Sequence, residues 1–361
     1  MDDNQQYNGY TNTEEPKAKI RIVGVGGAGG NIINNMIDSN ITGVEYVAIN
    51  TDYQDLNKSK AQYKISIGHL GAGGTPETAR VLAEDKKSEI KNVLKDQDMI
   101  FVTAGMGGGT GTGAAPIIAQ VAKELGILTV AIVTKPFTFE GKKRAQNTAD
   151  GLENLKKYVD TLIVIPNQKL LELPTAKTSS YPDQLKLSND ILRFGVKGIT
   201  ELITKIGLIN LDFSDVQAIM KDSGVALFGF AESQRDEETG QFEDIIKVAE
   251  KAIFNPLLEK DIKGATKILV NLTIGPNCSL ADVDRVQSFI AQKASGTIDG
   301  VENVIAGVIF EPERESVVVS IIATGFDENK IYENSVNQTT ETDVNIEEKK
   351  EEPMEYNVPI F

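Results

Sequence analysis

One stretch limits what this chain can become. Gly105-Met106-Gly107-Gly108-Gly109-Thr110-Gly111-Thr112-Gly113 carries six glycines in nine residues. Residues 98–103 before it are an apolar run of strand type. Residues 114–122 after it read as a helix, with Pro116 tolerated in its first turn. The glycines therefore fill a strand-to-helix turn. Such a turn aims bare backbone N–H groups and the positive end of a helix dipole at one point, where an anion such as a nucleotide phosphate is held. Thr110 and Thr112 add hydroxyl donors.

Two more glycine turns follow strands. The strand at 19–23 runs into Gly24-Val25-Gly26-Gly27-Ala28-Gly29-Gly30-Asn31 and then into an apolar-periodic helix. Gly24, Gly26 and Gly29 fit G-x-G-x-x-G in its strand–turn–helix setting. The second strand, 44–50, ends at Asn50-Thr51-Asp52, where a ribose-binding Rossmann domain places an acid. Alone, these residues describe a dinucleotide site, and an NAD-dependent oxidoreductase is the alternative they support. The turn Gly71-Ala72-Gly73-Gly74 after the strand at 64–67 weighs against it. By itself that turn could be an ordinary loop. With the other two it supplies more donors at one sheet edge than a pyrophosphate needs, which suits a triphosphate. No G-x-x-x-x-G-K-[ST] occurs, so this is not a P-loop protein.

The αβ alternation continues through strands at 126–134 and 161–167, predicting a doubly wound parallel sheet with ligand loops at one edge. Glu140 and Arg144 stand four apart on one helix face, as a surface ion pair or aimed at the nucleotide. Residues 172–186 are polar and proline-broken. A long helix is expected from the capping cluster Ser188-Asn189-Asp190 to Gly207. A second αβ unit follows, with strands at 225–230, 267–273, 303–310 and 316–323 and helices at 243–254 and 281–294. Asp212 and Asp215, three apart at a helix start, read first as a capping pair.

Composition excludes several classes. The formal net charge of −15 repels nucleic acid and anionic lipid. No apolar run approaches the ~20 residues of a membrane span, so direct insertion is not expected. A single cysteine, Cys278, allows no intrachain disulfide, and a single histidine, His69, allows no site needing two. Residues 1–17 and 327–355 are polar and read as disordered. The last six, Tyr356 to Phe361, form an apolar tip on an acidic tether, either a docking motif or a frayed end.

Together these residues resemble the FtsZ family of bacterial cell-division GTPases, in the tubulin superfamily, over residues 17 to 326. Residues 107–113 look like the tubulin-type signature loop, and 25–31 like the family's first nucleotide loop. The resemblance implies a tubulin/FtsZ-like fold: a GTP-binding domain (18–186), a central helix (187–209), a smaller α/β activation domain (210–326), a linker (327–355) and an interaction peptide (356–361). It implies GTP/GDP and Mg²⁺, with no side chain assigned to the metal. The nucleotide contacts would be Gly26, Gly27, Ala28, Gly29, Gly30, Asn31, Asn50, Gly73, Gly107, Gly108, Gly109, Thr110, Gly111, Glu140, Arg144 and Asp190. Asp212 and Asp215, with Asn210, would polarise water over a neighbour's γ-phosphate. The protein would be cytoplasmic, assemble head to tail and form the ring at mid-cell, with residues 356–361 binding a membrane-tethering adaptor. A non-division filament of the same superfamily is the nearer alternative. The third glycine loop is shorter than the family's, and Leu185 stands where an aromatic residue near the base is usual.

Overall fold

Alternating apolar runs and amphipathic segments produce alternating strands and helices. The computed structural model describes residues 18–172, 180–205, 207–209, 211–236, 239–255, 262–295 and 303–326. The first half runs β1 (Ile20–Val25), α1 (Gly26–Asp38), β2 (Glu45–Asn50), α2 (Tyr53–Asn57), β3 (Tyr63–Ser66), α3 (Pro76–Asp85), α4 (Lys87–Leu94), β4 (Met99–Gly105), α5 (Thr110–Glu124), β5 (Leu128–Lys135), α6 (Lys142–Lys156), β6 (Thr161–Pro166) and α7 (Asn167–Leu170). After α8 (Tyr181–Thr204) come α9 (Phe213–Met220), β7 (Gly224–Glu232), α10 (Ile245–Ile253), β8 (Lys267–Ile274), α11 (Leu280–Ser295), β9 (Asn303–Phe310) and β10 (Val318–Thr324).

The strands form one sheet in the order β3-β2-β1-β4-β5-β6-β7-β10-β8-β9. Pairing is parallel from β3 to the start of β7, as an αβ chain requires. Strand β7 serves two partners. Its first three residues pair with β6, and residues 227–232 pair antiparallel with β10. Central strands are apolar on both faces because helices cover both. In β1, Ile20 and Ile22 enter one core while Val23 and Val25 enter the other. In β4, Met99 and Phe101 divide from Ile100 and Val102 in the same way. In the first core Tyr46 is buried, and its hydroxyl donates to the Ile41 carbonyl at 3.0 Å. Burial pushes its pKa up to about 12.

Helix α8 buries Ile191, Leu192, Val196, Ile199 and Leu202, each worth about 1.5–3 kcal/mol over exposure. They share a core with Ile132 of β5 and with Leu269 and Ile322 of β8 and β10. The Asn271 side-chain amide donates to the Gly198 carbonyl at 3.0 Å, fixing the helix on β8.

Three element starts differ from the sequence reading. Helix α1 starts at Gly26 and α5 at Thr110, inside the glycine runs read as turns. Pro116 consequently lies within α5. Helix α8 starts at Tyr181, because Pro182 can occupy a first turn. Ser188, Asn189 and Asp190 therefore lie inside the helix rather than capping it.

Candidate functional site

The glycine loops lie at the carboxyl edge of the parallel strands, after β1, β3 and β4. Close approach explains their glycines. A Cβ on Gly26 would sit 3.1 Å from both the Gly111 nitrogen and the Thr110 Cβ. The N-termini of α1 and α5 thus meet, and both present the unpaired N–H groups of a helix start. A Cβ on Gly109 would lie 2.7 Å from that of Ala72 and 3.3 Å from the Gly74 nitrogen, so the third loop abuts the signature loop. Gly71, Gly73 and Gly74 all have positive φ (82°, 58° and 70°), which an L side chain would strain.

Side chains pin this backbone. The Thr51 and Thr110 hydroxyls share a 2.6 Å hydrogen bond. The Gly107 N–H donates to Thr112 Oγ1 at 2.8 Å. Asn147 Nδ2 donates to the carbonyls of Gly107 at 3.1 Å and Gly74 at 3.4 Å. Buried Asn50 donates to Asp55 at 3.1 Å. Gly26, Gly30, Asn31, Asn50 and Asp55 line one pocket. Gly27 faces Asp55, Ala28 packs on Gly105, and Gly29 packs on Gly24 and the Thr103 carbonyl. Gly30 and Gly108 face open space.

Glu140 and Arg144 do not share one helix. Glu140 closes a 3-10 turn, Thr138–Glu140, and Gly141 at φ 97° precedes α6. They still form an ion pair, and Glu140 also accepts the Phe137 N–H. The Arg144 carbonyl lies 3.0 Å from where a Gly107 Cβ would be, so this segment borders the signature loop. Asp190, on α8, accepts from Asn35 of α1 at 3.1 Å.

Asp212 and Asp215 are not brought to these loops. They form a reciprocal capping box on α9: Asp212 accepts the Asp215 N–H at 2.9 Å, and Asp215 accepts that of Asp212 at 3.1 Å. Helix α8 passes the end of β6 at Ser188, which bonds Asn167. It ends with Thr204 against Gly43, just before β2. Its 24 residues span about 36 Å. The chain leaving it lies at the amino edge of the parallel strands. There the Leu208 N–H donates to the Val308 carbonyl at 2.8 Å, and Val308 donates back to Ile209 at 3.1 Å. Lys205 pairs with Glu201 at 2.6 Å and Glu311 at 3.3 Å. A hydrogen bond from Arg314 holds the Glu311 carboxyl below its usual range. Asn210 lies outside the described residues, as does the side chain of Leu185.

Thr51, Asn147 and Thr148 escaped the sequence reading. Their only signal is hydroxyl and amide residues within a turn of a glycine or of Arg144.

Two helix starts and a glycine loop converging at one sheet edge define a nucleotide-phosphate-binding α/β protein. Comparison with known proteins narrows the class. A family model described as Tubulin/FtsZ family, GTPase domain, matches residues 19–175, and one described as FtsZ family, C-terminal domain, matches 224–327. The cell division protein FtsZ of Rickettsia bellii (strain RML369-C) is 43% identical over 342 residues, covering 93% of this chain and 72% of that protein. That of Rickettsia typhi (strain ATCC VR-144 / Wilmington) is 44% identical over 336 residues, covering 90% and 72%. Among solved structures, an empty FtsZ dimer from M. jannaschii superposes with a TM-score of 0.78 at 40% identity, covering 86% of this chain and 89% of that one. CetZ1 from Haloferax volcanii, at 20% identity and a TM-score of 0.71, shares the fold. The chain belongs to the FtsZ family of tubulin-like GTPases.

Proposed function

We propose that this GTPase completes its active site only where two subunits stack head to tail in a filament. The glycine loops of one subunit hold the phosphates of GTP. Asp212 and Asp215 of the next, with Asn210, polarise the water that attacks the γ-phosphate in line. The observation that carries this reading is the run of α8: about 24 Å of helix, from Ser188 beside the end of β6 to Thr204 beside Gly43, lies between the edge with the phosphate loops and the edge that leads to the carboxylates. A contact that joins unlike edges repeats without closing and yields open filaments. The protein acts in cell division, as its FtsZ relatives do, through a ring at mid-cell. Capping and catalysis are compatible, because each carboxylate uses one oxygen in the box and keeps the other.

Mg²⁺ accompanies the nucleotide and neutralises phosphate charge. It keeps most of its ligands as phosphate oxygens and water. The Thr51–Thr110 hydroxyl pair and the Asp55 carboxylate are oxygen donors that would face it beside the first nucleotide loop and the signature loop. Among the described residues no helix is long and apolar enough to cross a membrane. Membrane attachment is assigned to an adaptor that binds residues 356–361, which lie outside the described residues. Loss of adaptor binding on deleting those six residues tests this.

The experiment for the shared site is phosphate release from GTP with Mg²⁺ across protein concentrations. A rate near zero below a threshold supports it. A rate proportional to protein from the lowest concentration contradicts it and places a whole site in each monomer.

A further inference from the structure

We propose that Asn147 is a positioning residue for GTP hydrolysis: it clamps the third glycine loop to the signature loop and turns the Gly108 N–H toward the phosphates. This rests on reading the glycine loops as the GTP site.

The geometry starts at Gly107, whose φ of 98° only glycine adopts freely. Peptides on both sides of it could flip, since no Cβ at Gly107, Gly108 or Gly109 resists. Two side chains prevent this. Thr112 Oγ1 accepts the Gly107 N–H and holds the peptide before it. Asn147 Nδ2 donates to the Gly107 carbonyl at 3.1 Å and holds the peptide after it. A trans peptide carries its C=O and N–H on opposite sides. Holding the Gly107 carbonyl toward α6 therefore points the Gly108 N–H away from α6. Nothing lies within 4 Å of the Gly108 Cβ position, so the loop backbone is uncrowded there.

The same amide reaches the Gly74 carbonyl at 3.4 Å. Both partners are carbonyl oxygens, so the amide nitrogen must be the atom that faces them. The third loop needs this tie. It is short, with three glycines in left-handed conformation, and beyond Gly71 N–H to Thr51 and Thr75 N–H to Ala72 little backbone bonding braces it. Asn147 is itself braced at its base. Its neighbour Thr148 donates to the Arg144 carbonyl at 2.7 Å, and the Thr148 hydroxyl lies 2.9 Å from where a Gly107 Cβ would be. One half-buried side chain thus sets two phosphate loops at once. Such preorganised backbone donors act on phosphate charge, not on the base or ribose.

The test is nucleotide binding to the full chain below its assembly threshold, by displacement of a fluorescent GTP analogue. The variants are Asn147→Ala, the isosteric Asn147→Asp and Asn147→Gln. For Ala and Asp, GTP affinity should fall about tenfold, the weight of a hydrogen bond to a charged group. GMP affinity should stay within about twofold, because GMP reaches few of these donors. Asn147→Gln, which keeps the donor, should recover most of the loss. Since Asp preserves the shape of Asn, a folding defect confined to Ala leaves the test intact. Unchanged GTP affinity, or an equal loss for GMP and GTP, would overturn the proposal. Wild-type protein that fails to bind GTP would overturn the underlying site reading instead, and the clamp with it.

Discussion

The two edges of the parallel sheet are built on opposite plans. At the carboxyl edge the functional groups are backbone amides, and the side chains around them are absent or small. Gly26, Gly109 and Gly111 are glycine because other backbone or Cβ atoms already occupy the space. At the amino edge the groups proposed to act are two carboxylates on an ordinary capped helix start, Asp212 exposed and Asp215 half-buried. Gly26, Gly109 and Gly111 should therefore tolerate almost no side chain, whereas the second edge should tolerate many changes without unfolding. A site made of backbone is tied to packing, whereas one made of exposed side chains is tied only to what docks on it.

The largest effect should come from crowding the first edge. A Cβ on Gly113 would lie 2.0 Å from the Pro76 carbonyl oxygen, so Gly113→Ala must force α3 from α5. Urea unfolding should show a loss of about 2 kcal/mol or more, although alanine is the better helix former. A neutral result would break the claim that close packing sets these glycines. At the second edge, Asp215→Ala should lower GTP turnover about 100-fold, while stability falls by only about 1 kcal/mol and GTP binding holds. Asp212→Asn separates the two roles, since asparagine caps as well as aspartate but carries no charge. It should keep the stability and lose the turnover.

A pH effect belongs to the core between the edges. The folded-state pKa of Tyr46 is raised, so burial favours the neutral phenol. Its contribution is complete below pH 10 and is lost as pH rises toward about 12. Alkaline denaturation should steepen in that window, by about 2 kcal/mol, and Tyr46→Phe should flatten it. The smallest effect sharpens the boundary of the first edge. Arg144, half-exposed and paired with Glu140, should cost no more than about 0.5 kcal/mol of stability when changed to alanine. Weakened GTP binding in that variant would make it a nucleotide contact; unchanged binding would leave a surface ion pair.

Legibility in the sequence followed the same division. The glycine loops were readable because glycine there is a steric requirement, and strand and helix periods flanked them. Their boundaries were not. A helix whose first turn is Gly26-Gly27-Ala28-Gly29 or Thr110-Gly111-Thr112-Gly113 has no apolar stripe there and looks like a turn. Ser188-Asn189-Asp190 imitated a cap inside α8, since Ser188 is instead spent on Asn167. Asp212 and Asp215 were readable as a cap, and the structure keeps that cap. The second role proposed for them has no local signature, because it depends on another molecule. Asn147 was illegible because its partners, Gly74 and Gly107, come from two other loops.

The most direct test of the shared site is to mix Asp215→Ala protein with Gly109→Asp protein, which puts bulk and a negative charge among the phosphate loops, above the assembly threshold and follow GTP turnover. If the carboxylates act on the neighbour's nucleotide, an equal mixture should regain up to about a quarter of the wild-type rate although each variant alone is nearly inactive, since a Gly109→Asp subunit then brings intact carboxylates to the GTP of an Asp215→Ala subunit. No recovery in the mixed filaments would mean that each chain hydrolyses its own GTP, and the account of two half-sites would be wrong.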